Sequence, residues 1–453
     1  MEFLLKEKGR RSAMLSLADF WPQIKGTNEI NLIEVTGEIL IQNGYSNWSF
    51  RWLLERYLLH PTSEKIISLL TESSSEILDH ELIRFCGELS LATGITNLKT
   101  VESLLESLLA LGDEKRCVEV LNRIEHNRKT IKMIQLELRI MFYGEKNPRK
   151  VIDYFLKVEK HKQTSEIIAH TALAYSQIND LFSATNLLQP LVDQGDPNAT
   201  VTMFEILRKK TPRMAIKSLN GLFMKHGWAP LSNKWATNEF KLSNLSCGKL
   251  ESSKDTRLVS VIMTTHQNNP MMETAVKSIL DQTHKAIELI IVDDFSTNED
   301  NAYYETFTLL DKRVKIIHQL KNKGTYSARN RGLEEISTEF VMFVDSDDWS
   351  HPQRIESSLK RLDENPNCIF ATEGYIRMNE NSELTLSGGY FVRRCMLGLW
   401  RTEIIRDELG GFDDVRIAAD AEVFERAQKR YGKSAISTLT IPSYIAHSHE
   451  NSL

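Results

Sequence analysis

Polar and acidic side chains follow several predicted strands, at the point where each strand ends. They are Thr264, Thr265 and His266 after the first strand, Asp293 and Asp294 after the second, and Asp345, Ser346, Asp347 and Asp348 after a later one. Carboxylates gathered at one edge of a sheet repel one another unless a cation neutralises them. Mg²⁺ and Mn²⁺ prefer oxygen ligands. The pattern therefore predicts a divalent metal ion that holds a diphosphate.

Two common nucleotide-binding motifs are absent from the sequence. No G-x-G-x-x-G follows the first predicted strand, and no G-x-x-x-x-G-K-[ST] occurs in the chain. These glycine-rich turns cradle phosphates in dinucleotide-binding domains and in P-loop proteins. Their absence disfavours a dehydrogenase and a P-loop NTPase.

Strands and helices alternate from residue 258 onward. Strands are predicted over residues 258–263, 287–292, 314–317, 340–344 and 368–372, with helical spacing between most of them. Such alternation predicts an α/β fold with a mostly parallel sheet between layers of helices. Ligands of these sheets bind beyond the carboxyl ends of the strands, which is where the polar residues lie.

Helical patterns fill the first 230 residues. The turns predicted between helices are 32 to 35 residues apart, near Gly44, Leu78, Gly112, Gly144, Asn179 and Thr211. A period in the low thirties is typical of helical-hairpin repeats and predicts an all-α solenoid. One unit resembles a tetratricopeptide repeat in its small and closing residues, Ala172, Tyr175, Ala184, Leu188 and Pro197. The array either binds a protein partner or braces the second domain.

A segment rich in Ser and Asn, residues 231–257, predicts a linker between a helical domain (1–230) and an α/β domain (258–453). Residues 1–250 carry 32 basic and 29 acidic side chains, whereas residues 251–453 carry 24 and 32. The stretch over 201–250 is basic, but the sequence pI of about 6.2 argues against a nucleic-acid partner.

The five cysteines lie far apart without a C-x-x-C pair, which favours a reducing compartment. No apolar run approaches the roughly 18 residues that span a bilayer, and the first residues lack a signal-peptide pattern. The sequence thus predicts a cytoplasmic protein, and it leaves association with the inner face of the membrane open.

The α/β region resembles the family 2 glycosyltransferases, which have a GT-A fold. The resemblance covers about 258–451 and rests on the order and spacing of six segments. They are VSVIMTTHQNNP (259–270), AVKSILDQT (275–283), ELIIVDDFST (288–297), KNKGTYSARNRGL (321–333), FVMFVDSDDW (340–349) and ELGGFDDVRIAADAEVFERA (408–427).

This resemblance implies a site for the nucleobase of a nucleotide sugar. Asp293 or Asp294 would accept a hydrogen bond from the imide N–H of the base. The backbone at Thr264 and Thr265 and the ring of His266 would flank the base.

The resemblance also implies a site for the diphosphate and its metal ion. Asp345-Ser346-Asp347 resembles a DxD motif, in which Asp347 would bind Mn²⁺ or Mg²⁺ and Asp345 would reach the metal or the ribose. Gly324 precedes a helix whose N-terminus suits an anion. Arg329 would contact the diphosphate or the base, or it would form a structural ion pair.

Asp420 is the candidate general base, because the family places a catalytic aspartate at this point of its motif. Ala419 stands where a glutamate is usual, and Glu422 is the alternative base. Residues 420 and 422 would lie on different faces of a helix, so only one of them can face the sugar.

Further candidates line the sugar or acceptor pocket. They are Trp349, Gly388, Gly389, Trp400 and Arg401. Trp349 packs either in the core or against the sugar. His449 is an additional candidate metal ligand, by resemblance to some relatives.

Taken together, the resemblance implies an inverting, metal-dependent transfer of a sugar from a nucleotide sugar, chiefly a UDP-sugar. The acceptor would be a glycan or glycoconjugate in surface polysaccharide biosynthesis. The alternative is a catalytically degenerate nucleotide-sugar-binding or scaffold protein that acts through its helical repeats. Ala419 is the feature that supports this alternative.

Overall fold

The fold is that of a computed structural model of the chain. The structure describes residues 28–448 except for 43–44, 58–59, 61–62, 78, 95–96, 233–240, 268, 380, 382 and 386–390. The chain divides into two compact units, Met1–His170 and Thr171–Leu453. This division precedes the linker expected at 231–257, which stays a prediction.

The first unit is helical in all of its longer described elements. They are α1 (Ile30–Gln42), α2 (Ser46–Tyr57), α3 (Glu64–Ile77), α4 (His80–Ala92), α5 (Leu98–Ala110), α6 (Glu114–Asn122), α7 (Ile131–Arg139), α8 (Pro148–Phe155) and α9 (Ser165–Gln177), which extends into the second unit. Asp79 and Asn97 cap α4 and α5 by accepting backbone N–H hydrogen bonds. The buried leucines of α5 recur at helical spacing, at 104, 105 and 108.

Three more helices belong to the second unit: α10 (Leu181–Gln194), α11 (Pro197–Arg208) and α12 (Pro212–Lys225). Proline occupies the first turn of α11 and of α12, where its missing N–H costs no hydrogen bond. An all-helical N-terminal region is therefore confirmed, while its assignment to a repeat family stays a prediction. In the described parts of the chain, no helix is long and apolar enough to cross a bilayer.

A ten-stranded sheet forms the centre of the second unit. Its strands are β1 (Val259–Thr265), β2 (Ile287–Asp293), β3 (Val314–His318), β4 (Phe340–Asp345), β5 (Trp349–Ser350), β6 (Phe370–Asn379), β7 (Leu384–Thr385), β8 (Arg393–Arg394), β9 (Leu399–Arg401) and β10 (Ile436–Ser448). The order is β3-β2-β1-β4-β9-β6-β10-β5, with β7 and β8 paired to β6. Strands β1 to β4 are parallel, as predicted, whereas β9 joins β4 and β6 antiparallel.

Helices accompany the sheet, which confirms the predicted α/β fold. They are α13 (Met272–Leu280), α14 (Asn298–Leu310), α15 (Thr325–Glu334), α16 (Arg354–Glu364) and α17 (Ala419–Tyr431). Helix α15 packs close to β1 at Gly332. A Cβ atom at this position would lie 2.7 Å from Cγ2 of Ile262. Only glycine permits this approach without a shift.

The strand register brings the predicted polar ends together. Thr264 pairs with Asp345 across β1 and β4, and Thr265 pairs with Asp293 across β1 and β2. The carboxyl ends of three neighbouring parallel strands therefore form one polar edge, at the place where such sheets bind ligands.

Candidate active site

The end of β4 carries a buried ion pair. Arg329 of α15 donates through Nη2 to Oδ1 of Asp345 at 2.7 Å, and the arginine side chain is 3 % exposed. Thr264 donates to the same oxygen at 3.4 Å, and the backbone N–H of Asp345 donates to the Tyr444 hydroxyl at 3.1 Å. The Nε atom of Arg329 is buried without a partner among the described residues. The structural ion pair, one of the two alternatives for Arg329, is thus present, and the Nε–H of the arginine remains as a donor for a ligand.

Three carboxylates lie close together after β4. Asp348 is buried and accepts from the backbone N–H of His447 at 2.8 Å. Burial, together with the negative charges of Asp347 and Asp345, raises the pKa of Asp348 well above its usual value. This concentration of negative charge would be relieved by a cation.

Asp345 and Asp347 offer oxygen ligands of the kind that Mg²⁺ and Mn²⁺ prefer. Within the described ranges, however, no three His, Cys, Asp or Glu side chains form a group that could hold a metal ion. His449, the additional candidate ligand, lies outside the described residues. The edge that carries Asp345, Asp347 and Asp348, called the acidic edge below, therefore offers oxygen donors, and the described residues do not complete a ligand set around them.

Asp293, at the end of β2, is held by its own loop and by β3. Its Oδ1 atom accepts from the backbone N–H of Ser296 at 3.0 Å, and its Oδ2 atom contacts Nδ1 of His318 at 3.1 Å. The carboxylate is buried. These contacts fix its orientation at the sheet edge.

Asp294 holds the turn that leads into α15. Its two oxygens accept from the backbone N–H groups of Lys323 at 2.8 Å and Gly324 at 2.7 Å. Gly324 has φ +91°, which a residue with a Cβ rarely adopts. Asp294 therefore positions the N-terminus of α15, and with it Arg329.

The remaining donor-site candidates lie at the same edge. Thr264 and Thr265 are buried at the end of β1, and His266 is exposed directly after them. Ser346 is buried and accepts from the side-chain amide of Asn269 at 3.1 Å. The sequence-predicted donor site is thus brought together in space.

The two candidate bases have different surroundings. Asp420 lies at the start of α17, and its Oδ1 atom accepts from the Tyr326 hydroxyl at 2.9 Å. Glu422 instead pairs with Arg426 of its own helix at 2.6 Å. Tyr326 and Arg329 lie three residues apart on α15, so one helical turn contacts both Asp420 and Asp345.

The candidates for the sugar pocket are more dispersed. Trp349 is buried, with its ring edge-to-face with His351 at 5.9 Å. Trp400 is stacked on Phe370 in the core at 4.1 Å. Arg401 pairs with Phe340 at the opposite end of β4 from Asp345. The structure therefore does not bring Trp400 and Arg401 together with the acidic edge.

Gly388 and Gly389 lie outside the described residues. Sequence reasoning, in turn, missed Tyr326, Asn269 and Tyr444. The helical spacing of Tyr326 to Arg329 is a signal that points to Tyr326, whereas the contacts of Asn269 and Tyr444 join distant parts of the chain.

The fold and the site define a class: an α/β domain whose parallel-sheet edge carries several carboxylates and a buried arginine. The comparison with family models is more specific. Residues 260–412 match the model of glycosyl transferase family 2, so this chain contains a family 2 glycosyltransferase domain.

Relatives match over a similar segment. A glycosyltransferase of Rickettsia conorii that is uncharacterized is 38 % identical over 129 residues, which cover 28 % of this chain and 21 % of the relative. TuaG of Bacillus subtilis, a glycosyltransferase assigned to teichuronic acid biosynthesis, is 35 % identical over 124 residues, 27 % of this chain and 49 % of TuaG. The chain thus spans half or less of the length of these relatives.

Among solved structures, S. aureus TarS 1–349 in complex with UDP-GlcNAc matches with a TM-score of 0.36 and 22 % identity. The match covers 43 % of this chain and 59 % of TarS 1–349. This likeness is too low to inform the site.

Proposed function

We propose that this protein is an inverting, metal-dependent glycosyltransferase that moves a sugar from a nucleotide sugar, chiefly a UDP-sugar, to a glycan or glycoconjugate. The observation that carries the proposal is the grouping of Asp345 and Asp420 around one turn of α15. This grouping lies at the carboxyl edge of the sheet. Residues 260–412, which include Asp345, match the model of glycosyl transferase family 2.

The donor would lie along the edge formed by β1, β2 and β4. Asp293 or Asp294 accepts a hydrogen bond from the imide N–H of the nucleobase. Thr264, Thr265 and His266 flank the base. The first backbone N–H groups of α15, which follow the Gly324 turn, and the unpartnered Nε of Arg329 supply N–H donors for the diphosphate.

A divalent metal ion fits the same edge, because burial and then the charges of Asp347 and Asp345 raise the pKa of Asp348, and a cation would offset this negative charge. Asp347 and Asp345 would hold the ion, and His449 is a further candidate ligand. When bound, such an ion neutralises charge that develops on the departing diphosphate.

Asp420 acts as the general base, with Glu422 as the alternative. It removes the proton from an acceptor hydroxyl while the hydroxyl oxygen forms a bond to the anomeric carbon. The bond from that carbon to the diphosphate oxygen breaks in the same step, and Arg329 stabilises the negative charge that departs. A single displacement inverts the anomeric centre and needs no nucleophilic carboxylate.

The name of TuaG motivates an acceptor in bacterial surface polysaccharide synthesis. We place the reaction in the cytoplasm or at the inner face of the membrane. The helical repeats would bind a protein partner or brace the catalytic domain. Trp349, Gly388 and Gly389 remain proposed parts of the acceptor side.

The test is release of nucleoside diphosphate from a panel of UDP-, GDP- and dTDP-sugars with Mn²⁺ or Mg²⁺. We expect activity with a UDP-sugar, its loss in Asp347→Ala, and its retention in Asp281→Ala, which changes an exposed aspartate at the end of α13. Thermal stabilisation by UDP with Mn²⁺ should follow the same order. If the wild type and Asp347→Ala behave identically in both assays, the enzyme proposal fails.

A degenerate scaffold is the second candidate, supported by Ala419 in place of an acidic residue. It predicts UDP binding without turnover. Asp420→Asn separates the two functions, because a general base contributes about 10²- to 10⁴-fold to an active enzyme and nothing to a scaffold.

A further inference from the structure

Tyr326 has no role in the proposed donor site, yet its hydroxyl contacts the candidate base. The phenol is largely buried and donates to Oδ1 of Asp420 at 2.9 Å. Burial, and then the charge of Asp420, raise the pKa of Tyr326 to about 12. The hydroxyl therefore keeps its proton at neutral pH and serves as a donor to the carboxylate.

The ring of Tyr326 is held on two sides. It stacks on Phe412 with centroids 5.8 Å apart, and the Arg329 guanidinium lies 5.3 Å from its centroid. Asn330 fixes the backbone of Phe412 with two hydrogen bonds of 2.8 and 2.9 Å. The position of the hydroxyl is therefore set by packing rather than by the Asp420 contact alone.

The charged groups around Asp420 come from two helices. Arg329 of α15 interacts electrostatically with Asp420 while it pairs with Asp345. On α17, the backbone N–H of Ala421 donates to the same Oδ1 at 2.9 Å, and Glu422 is directed to Arg426. Two donors thus converge on Oδ1, which leaves Oδ2 as the oxygen for a substrate proton.

We propose that Tyr326 is a positioning residue for the general base: its hydroxyl fixes Oδ1 of Asp420 and aims Oδ2 at the acceptor hydroxyl. This inference rests on the proposed function. The proton from the acceptor goes to Oδ2 of Asp420, and the Tyr326 hydroxyl keeps its own proton throughout.

The test compares Tyr326→Phe with Tyr431→Phe in the full chain. Tyr431 also contacts a carboxylate through its hydroxyl, that of Glu408, but at the far end of α17. A hydrogen bond to the charged form of an acid lowers its pKa. In Tyr326→Phe we expect the acidic limb of the pH profile of nucleoside diphosphate release to move up by about one pH unit and kcat to fall about tenfold, with the donor KM unchanged. Tyr431→Phe should match the wild type.

An unchanged pH limb and kcat in Tyr326→Phe would overturn the proposal. So would a parallel loss of thermal stabilisation by UDP with Mn²⁺, because that would assign Tyr326 to donor binding instead. Asp420→Asn and the double variant Asp420→Asn/Tyr326→Phe should share one residual rate. A further loss in the double variant would show that Tyr326 acts elsewhere.

Failure of the proposed function looks different, since the wild type would then release no nucleoside diphosphate from any donor. In that case the positioning role is read from the carboxyl ¹³C titration of Asp420, assigned with Asp420→Asn. An Asp420 pKa that is not higher in Tyr326→Phe than in the wild type would contradict the role.

Discussion

Helix α11 accepts hydrogen bonds from β7 and from the residue directly before β8. Removal of one of these hydrogen bonds should lower the free energy of local opening by a measurable amount. The backbone N–H of Leu384 donates to Oε2 of Glu205 at 3.1 Å. The backbone N–H of Val392 donates to Oδ1 of Asn198, two helical turns earlier on the same helix, at 3.1 Å. We predict that Glu205→Ala opens the β7 end of this segment.

The magnitude follows from the contacts of Glu205. A hydrogen bond to a charged group contributes about 1.5 to 3 kcal/mol. The substitution also removes the partner of Arg208 at 2.6 Å, which leaves this largely buried arginine with Glu383 at 3.4 Å. We take about 2 kcal/mol for local opening, which corresponds to about 30-fold faster amide exchange.

Hydrogen exchange of the Leu384 amide is the direct assay. The matched control is Glu364→Ala, which removes an exposed carboxylate that pairs with Lys360 at 3.8 Å and should leave this amide unaffected. Exchange of Leu384 in Glu205→Ala within about threefold of the wild-type rate, less than 1 kcal/mol, would refute the reasoning.

The contact between Glu205 and β7 is linked to the acidic edge through neighbouring strands. Leu384 pairs with Met378 in β6, and Met378 pairs with His447 in β10. The N–H of His447 donates to Asp348. A ladder of adjacent strands therefore connects α11 to the acidic edge, so exchange in Glu205→Ala should also be followed at His447.

Two further predictions concern buried polar groups. Burial lowers the pKa of His351 to about 4, below the roughly 6.5 of an unfolded histidine. Between these two values the unfolded state binds more protons than the folded state. The free energy of unfolding should therefore fall by up to about 3 kcal/mol as the pH is lowered from 6.5 to 4. Urea unfolding across this range should show less pH dependence in His351→Gln. Glu373 pairs with fully buried Arg354 and with Arg361. In the same assay, Glu373→Ala should lower the free energy of unfolding by about 3 to 5 kcal/mol, because it leaves a buried charge without its partner. The double variant Arg354→Met/Glu373→Leu should regain much of this free energy.

The first half of the sheet was accessible from the sequence because its signals are local. Apolar runs such as Ile287–Asp293 are buried along most of their length and end in carboxylates, and parallel order follows from the alternation with helices. The insertion of β9 between β4 and β6 was not predicted, since Leu399–Arg401 is short and pairs with residues far away in the chain.

The candidate site likewise has a part that the sequence predicts and a part that it does not. Residues at strand ends could be grouped from sequence, because register alone places Thr264 beside Asp345. The positions of Trp400 and Arg401 depend on which side of a short antiparallel strand faces the core, and residue type does not decide this. Trp400 is 1 % exposed, and its indole N–H is buried without a described partner.

Helix geometry bears on the choice between the two candidate bases. Successive residues of an α-helix are about 100° apart, so positions 420 and 422 lie on nearly opposite faces. The face with residue 420 meets Tyr326, whose helix also delivers Arg329 to Asp345. The face with residue 422 meets Arg426, whose guanidinium is also bound by backbone carbonyls at 409 and 411. Both oxygens of Glu422 accept from Arg426, whereas the phenol of Tyr326 and the Ala421 N–H occupy only Oδ1 of Asp420, and this difference favours Asp420.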